Sequence, residues 1–134
     1  MRSRPARTPG VQTVVAVVDD QSALREATEN LLKSAGLKAV SFASAEDFLQ
    51  ARALEGAGCL ILDVRLPGMS GLELQEHLAA DGIHLPVVFI TAQEDSDGRM
   101  RARALRSGAL AFLRKPFGDE DLLNAVRSAL ETRK

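Results

Sequence analysis

The hydrophobic residues of this chain follow two alternating patterns. Short, almost wholly apolar runs, typical of strands buried on both faces, occupy residues 13–20, 37–44, 59–64, 85–92 and 110–117. Apolar residues spaced as in amphipathic helices occupy residues 22–35, 44–54, 72–80, 97–107 and 119–134. The patterns predict five strands alternating with five helices.

This alternation predicts the fold class. A strand followed by a helix and another strand is the βαβ unit, whose crossover is right-handed, so successive strands run parallel. A parallel sheet needs both faces covered. The sequence therefore predicts an α/β fold, a doubly wound parallel sheet with helices on both faces.

Two predicted helices differ in quality. The first carries an apolar stripe that is predicted to pack in the core, formed by Leu24, Ala27, Leu31 and Ala35. The stretch 97–107 is the poorest helix, because it is arginine-rich and has a glycine near its start. We expect low burial and mobility there, with the arginines forming a solvated face.

Composition adds limits rather than a function. At 134 residues the chain suits one domain, predicted over 12–134 after a flexible tail over 1–11. The net charge is −1, and three arginines in the first twelve residues leave −4 on the rest, which disfavours nucleic acid as the main partner. The single cysteine, Cys59, excludes an internal disulfide and is predicted to be a core residue. No apolar run is long enough for a transmembrane span, and we expect a cytoplasmic protein without a membrane partner.

Polar residues stand at the ends of four predicted strands: Asp19 and Asp20, Asp63, Thr91 and Lys115. Ligands in this fold class bind outside the carboxyl ends of the strands, so we expect these side chains to meet at one edge. Three carboxylates together would retain protons unless a cation joined them, and an all-oxygen set suits Mg²⁺. With a lysine and a hydroxyl beside it, such a site is equipped for phosphoryl transfer to a carboxylate nucleophile.

The motifs "VVDD", "LILDVRLPGMSGLEL", "FITA" and "FLRKPF" occur in order within residues 12–131. Together they resemble the receiver domain of bacterial two-component response regulators, and "DVRLPGMSG" resembles the FixJ-like group. The resemblance implies a flavodoxin-like (βα)5 fold with strand order 2-1-3-4-5. It also implies a signalling module rather than an enzyme, which catalyses only its own phosphorylation and slow dephosphorylation.

Site roles follow from the same resemblance. It implies that Asp63 is the phosphoacceptor, charged by a phosphohistidine. Asp19, Asp20, Asp63 and the backbone carbonyl of Arg65 are implied to hold Mg²⁺, the expected cofactor. Thr91 and Lys115 are implied to bind the phosphoryl group.

Further positions in the chain match the family's switching and tuning residues. Phe112 takes the position of the switch aromatic residue, Lys115–Pro116 matches a cis peptide, and Arg65 and Gln93 match positions that tune hydrolysis. We expect Thr91 and Phe112 to couple phosphorylation to the shape of the surface formed by the fourth helix, the fifth strand and the last helix.

The implied partners are a sensor histidine kinase or a phosphotransfer protein, and an output partner or a phosphorylation-dependent homodimer. The kinase is expected at the first helix, around Ser22 and Leu24. DNA contact is expected only through an output domain outside this chain.

Other interpretations remain for single residues and for the whole site. Each polar residue alone suits a helix cap, a loop acid, a satisfied hydroxyl or a solvated charge. His77 and His84 lack metal-ligand spacing and are predicted to lie on the surface. A haloacid-dehalogenase-type phosphatase shares these residue types but has its nucleophile on the first strand, and a flavodoxin would need a phosphate loop where acids stand here. A receiver-like binding module that no longer switches is the remaining alternative.

Overall fold

The computed structural model describes residues 14–51, 56–92 and 98–132, and within them strands and helices alternate as predicted. The strands are β1 (Val14–Val18), β2 (Lys38–Phe42), β3 (Ala57–Asp63), β4 (Val87–Thr91) and β5 (Ala111–Arg114). The helices are α1 (Ser22–Ser34), α2 (Ala45–Gln50), α3 (Gly71–Ala80), α4 (Arg99–Arg106) and α5 (Asp119–Thr132). The tail over 1–11, the boundary at residue 12 and Gln93 lie outside the described residues.

All five strands pair in parallel in the order β2-β1-β3-β4-β5, which confirms the predicted fold class and strand order. β3 lies at the centre and every one of its residues is buried, as its unbroken apolar run predicts. The switch in strand order falls between β1 and β3. A ligand crevice is expected above that point, beside Asp19 and Asp63.

Each face of the sheet has its own core, because side chains alternate along every strand. On β1, Val15 and Val17 pack with α1 and α5, whereas Ala16 and Val18 pack with α2, α3 and α4. Cys59 lies in the first of these cores and is fully buried, as predicted. The sheet is thus covered on both faces.

The apolar stripe predicted for α1 is partly wrong. Thr28 and Leu32 are the buried residues of this helix. Of the predicted stripe, Ala27 is exposed, and Leu24, Leu31 and Ala35 are only half-buried. Helical periodicity identifies residues on one side of a helix, but the packing angle decides which of them reach the sheet. Leu31 and Ala35 still pack against the core, as predicted, while Leu24, Ala27 and Leu31 border a surface groove between α1 and α5.

α4 is weakly anchored, as its sequence predicts. Its one buried residue is Ala104, and Leu105 is 43% exposed. Gly98 precedes the helix in the left-handed conformation with φ of 72°, which favours glycine. An exposed ion pair fastens α4 to α3: the guanidinium of Arg103 donates to both carboxylate oxygens of Glu76 at 2.8 Å.

Several predicted boundaries are too long. β1 ends at Val18 and β5 at Arg114, so Asp19 and Lys115 lie one residue beyond their strands. The second helix ends at Gln50, and the rest of its predicted range, 52–54, lies outside the described residues; Ser44 caps its start by accepting from Asp47 N at 3.0 Å. Asp19 and Lys115 therefore follow the buried apolar residues of their strands and lie at the carboxyl edge of the sheet.

Candidate functional site at the carboxyl edge of the sheet

Three carboxylates meet at the carboxyl edge of the central strands. One oxygen atom from each of Asp19, Asp20 and Asp63 lies within 4.8 Å of the others. Asp19 is fully buried, Asp63 is 4% exposed, and Asp20 is exposed to solvent. The cluster therefore has two buried members and one that opens toward water.

Asp63 is held at both carboxylate oxygens. Its Oδ1 accepts from the backbone N–H of Arg65 at 3.0 Å, and its Oδ2 accepts from Lys115 Nζ at 3.0 Å. Burial raises the pKa of the Asp63 carboxyl group, and the nearby charge of Asp19 adds to this effect. The ammonium of Lys115 and the N–H of Arg65 oppose it by stabilising the ionised form.

Lys115 joins the carboxylates to a neighbouring amide. Its ammonium donates to Asp63 Oδ2 at 3.0 Å, to Gln21 Oε1 at 3.1 Å and to Asp19 Oδ2 at 3.4 Å. Its backbone N–H donates to the carbonyl of Thr91 at 2.7 Å, and the peptide bond to Pro116 is cis, as predicted. The backbone of Lys115 is therefore fixed against β4, and its ammonium lies between the two buried carboxylates.

The segment from the end of β1 to the start of α1 makes further contacts to Asp19 that the sequence did not predict. The Oδ1 of Asp19 accepts from the backbone N–H of Gln21 at 2.9 Å, and its carbonyl accepts from Arg25 Nη1 at 2.7 Å. The only signal for Gln21 was its place directly after the acid pair. Arg25, six residues beyond Asp19, sits one helical turn into α1, and that spacing could have suggested contact.

Gly71 is the other residue missed. Its N–H donates to the Val64 carbonyl at 2.9 Å, and a Cβ atom built on it would overlap the carbonyl oxygen of Asp63. Ser70 before it forms a full capping box with Glu73, with bonds of 2.9 and 3.1 Å. The segment "MSGLE" thus clamps the end of β3 against the start of α3.

Thr91 and Phe112 lie where the sequence predicts. Thr91 ends β4 and is 1% exposed, one position beyond the residue paired with Asp63. Phe112 is half-buried on β5, with its ring centroid 6.3 Å from that of Phe89 and the guanidinium of Arg101 5.9 Å above it. A hydroxyl at the site and an aromatic ring at the surface therefore lie on neighbouring strands.

The remaining predicted residues have simpler surroundings. The side chain of Arg65 is exposed, whereas its backbone N–H donates a hydrogen bond to Asp63. His77 and His84 are both exposed, as predicted, and His77 lies 3.6 Å from Asp81.

The donor set fits a small, hard divalent cation. Clustered carboxylate oxygens with one open side suit Mg²⁺, which keeps several of its waters. The ammonium of Lys115 already neutralises part of the charge of Asp19 and Asp63.

Comparison with known proteins identifies the family. The sequence profile of the response regulator receiver domain matches residues 15–127, and the chain belongs to this family. It is 46% identical over 120 residues to Nodulation protein W of Bradyrhizobium diazoefficiens, covering 90% of this chain and 52% of that protein. It is 42% identical over 116 residues to the transcriptional regulatory protein FixJ of Azorhizobium caulinodans, covering 87% and 54%. The chain thus spans about half the length of these relatives.

Solved structures agree with this assignment. The response regulator StyR superposes with a TM-score of 0.84 at 47% identity, covering 91% of this chain and 61% of that chain. FixJ-N superposes with a TM-score of 0.80 at 33% identity, covering 90% and 94%. The chain is a receiver domain of two-component signalling, and its resemblance to the FixJ-like group is confirmed. None of the helices within the described ranges has the length and hydropathy that crossing a bilayer requires.

Proposed function

We propose that this receiver accepts a phosphoryl group on Asp63 from the phosphohistidine of a sensor histidine kinase, or of a phosphotransfer protein, in a Mg²⁺-dependent reaction. The observation that carries the proposal is the ammonium of Lys115 held between Asp63 and Asp19 beside a third carboxylate. This is a compact set of charges at a strand edge that water reaches through Asp20. Such an arrangement lowers the barrier to phosphoryl transfer by neutralising charge on the transferred group.

The reaction balances as a simple displacement. A carboxylate oxygen of Asp63 attacks phosphorus, the phosphorus–nitrogen bond to the imidazole breaks, and an acyl phosphate forms. Asp19, Asp20, Asp63 and the carbonyl of Arg65 would hold Mg²⁺, which when bound neutralises phosphoryl oxygens. Lys115 donates to one of these oxygens. Water later hydrolyses the acyl phosphate to inorganic phosphate and restores the carboxylate, so the chain acts as a switch rather than as an enzyme with an external substrate.

Asp63 is a better acceptor than its neighbours for a local reason. The N–H of Arg65 fixes one of its oxygens, while the other faces the ammonium of Lys115. When the carboxylate becomes an acyl phosphate, the carboxyl group loses its charge, and the ammonium can then pair with the charge on the phosphoryl oxygens. Asp20 is exposed, and Asp19 is held by the start of α1.

The output surface is proposed to be the face of α4, β5 and α5. The hydroxyl of Thr91 would donate to the phosphoryl group, and its movement would vacate space that the ring of Phe112 fills by turning inward. The weak anchoring of α4 and the half-buried ring support this assignment, because moving elements come from regions of low local stability. This face would carry an output partner or a phosphorylation-dependent homodimer.

The kinase is proposed to dock beside α1. A groove of about 800 Å³ between α1 and α5 is lined by Leu24, Leu31, Pro116 and Phe117 and reaches Lys115. Leu24 and Leu31, the half-buried leucines of α1, therefore line a groove that reaches the reactive edge. An apolar helix of a kinase or phosphotransfer protein laid in this groove would bring its histidine near Asp63.

Two wider expectations complete the proposal. FixJ of Azorhizobium caulinodans is named a transcriptional regulatory protein, and the matched part covers 54% of it. We therefore expect control of transcription through a separate output domain, with no DNA contact by the residues of this chain. We expect the protein to act in the cytoplasm, where a kinase phosphohistidine is presented.

The direct test uses acetyl phosphate, Mg²⁺ and mass spectrometry. Wild-type protein should gain one acid-stable, base-labile phosphoryl group that peptide mapping places on Asp63. Asp63→Asn should abolish it, whereas the matched control Asp81→Asn, at the exposed end of α3, should not. Label on Ser70 or His77 instead would refute the mechanism, and no label at all would favour a receiver that no longer switches.

The metal and the switch have separate tests. Asp20→Asn should weaken Mg²⁺ binding in a titration without phosphodonor, and unchanged affinity would remove Asp20 from the metal site. Hydrogen exchange with and without beryllofluoride should show its largest changes over residues 91–117, and Thr91→Ala should reduce them. Changes confined to the surroundings of Asp63 would contradict the proposed coupling.

A further inference from the structure

Gln21 occupies the N-cap position of α1, but its side chain does not cap the helix. The side-chain oxygen accepts from Lys115 Nζ at 3.1 Å instead. Because a lysine ammonium can only donate, the oxygen rather than the nitrogen of the amide must face it. Serine, threonine, aspartate and asparagine are the preferred N-cap residues, so helix stability does not account for a glutamine here.

The contact of Gln21 matters because of what else Lys115 touches. An ammonium has three hydrogens, and this one has three acceptors: Asp63, Gln21 and Asp19. Two of these acceptors belong to the carboxylate cluster that a divalent cation would occupy. The amide of Gln21 is the neutral acceptor that lies outside the cluster. Its contact at 3.1 Å is shorter than the 3.4 Å contact to Asp19.

We propose that Gln21 is a positioning residue that draws the Lys115 ammonium away from Asp19, and so lowers the Mg²⁺ concentration at which the site fills. This inference rests on the proposed function. Without the amide, the ammonium in the metal-free protein can recover its lost bond by closing onto Asp19. With Mg²⁺ at the cluster it cannot, because Asp19 then serves the metal and the two cations repel each other. Removing the amide therefore destabilises the metal-bound state more than the metal-free state, and Mg²⁺ affinity falls.

Two variants of Gln21 separate this role from a structural one. Gln21→Met keeps the length of the side chain but removes the acceptor. Gln21→Ser is too short to reach the lysine but is a favoured N-cap, so its thermal stability should equal or exceed that of wild type. In both, the Mg²⁺ dissociation constant should rise about threefold to tenfold, the effect of one hydrogen bond. Gln50→Met, on the exposed surface of α2, is the matched control and should leave it unchanged.

The experiment measures Mg²⁺ binding without phosphodonor, the ammonium signal of Lys115 by NMR in metal-free protein, and phosphorylation by acetyl phosphate across Mg²⁺ concentrations. Both Gln21 variants should require more Mg²⁺ for half-maximal phosphorylation yet approach the wild-type rate at saturation, and both should shift the ammonium signal. Wild-type Mg²⁺ affinity in either variant, with the wild-type protein phosphorylated normally, would overturn this inference alone. A wild-type protein that takes no phosphoryl group would overturn the proposed function and this inference with it.

Discussion

The close approach of Gly71 to Asp63 leads to a prediction about stability and reactivity together. In Gly71→Ala, the added Cβ would overlap the Asp63 carbonyl oxygen and lie 3.0 Å from its carbonyl carbon and 3.1 Å from the Cα of Val64. All three are backbone atoms, so no side chain can rotate away. The end of β3 and the start of α3 must therefore move apart by roughly 1 Å to restore ordinary van der Waals distances.

The expected cost follows from opposing effects. Inserting a methyl group into a packed site costs about 1–3 kcal/mol, whereas replacing glycine by alanine in a helix recovers about 0.5–1 kcal/mol. Steric overlap outweighs this gain, and we expect a net loss of about 1–2 kcal/mol. For a domain of this size that lowers the melting temperature by roughly 5 °C. A displacement of Asp63 on the order of 1 Å should also slow phosphorylation by on the order of 10²-fold.

Gly56→Ala is the matched control. Among the described residues, a Cβ at Gly56 meets no atom within 4 Å, and the φ of Gly56 lies outside the positive range. It should therefore match wild type or be slightly more stable, because alanine restricts the unfolded chain. Urea unfolding and acetyl phosphate labelling of both variants provide the test. If Gly71→Ala were as stable and as reactive as Gly56→Ala, the clamp at the end of β3 would not exist.

Three further predictions concern other parts of the sheet and its helices. Burial raises the pKa of the Cys59 thiol to about 12, so native protein should react with a thiol reagent far more slowly than unfolded protein, and rapid native labelling would contradict its place in the core. The hydrogen bond from Ser41 lowers the pKa of Glu29 below 4.5, so Glu29 stabilises the fold above that pH and loses this effect as the pH falls through its folded pKa. Glu29→Gln should therefore lower the melting temperature at neutral pH, and the difference from wild type should shrink as the pH is lowered into the acid range; a difference that does not change with pH would contradict this role. Arg103→Gln breaks the exposed ion pair with Glu76, so it should lower the free energy of unfolding by under about 1 kcal/mol and speed up hydrogen exchange in α4. Unchanged exchange would mean that the pair does not hold α4 to α3.

The sequence by itself determined the fold class and the place of the reactive edge. Unbroken apolar runs such as that of β3 can be satisfied only by burial on both faces, and alternation with helices makes the strands parallel. Once the strands are parallel, their carboxyl ends share an edge. The convergence of Asp19, Asp63 and Lys115 thus follows from topology without any knowledge of distances.

Only the tertiary structure decided how the side chains at that edge are connected. Nothing in the sequence indicates that the ammonium of Lys115 is shared with Gln21, since the two residues lie 94 positions apart. The contact of Gly71 with the Asp63 carbonyl is equally invisible, because the sequence places Gly71 just before a predicted helix, where glycine is compatible with many conformations. Such contacts depend on atoms brought together by packing, not on local pattern.

The same reason accounts for the error in α1. The spacing of Leu24, Leu31 and Ala35 correctly indicated a helix with an apolar side, but Thr28 and Leu32 are the residues of α1 that are fully buried. How many residues on the apolar side of a helix become buried depends on the angle at which the helix crosses the strands, and local periodicity does not determine that angle. Periodicity along the chain therefore determined which residues lie on one side of α1, and the packing of α1 against the sheet and α5 decided how deeply each of them is buried.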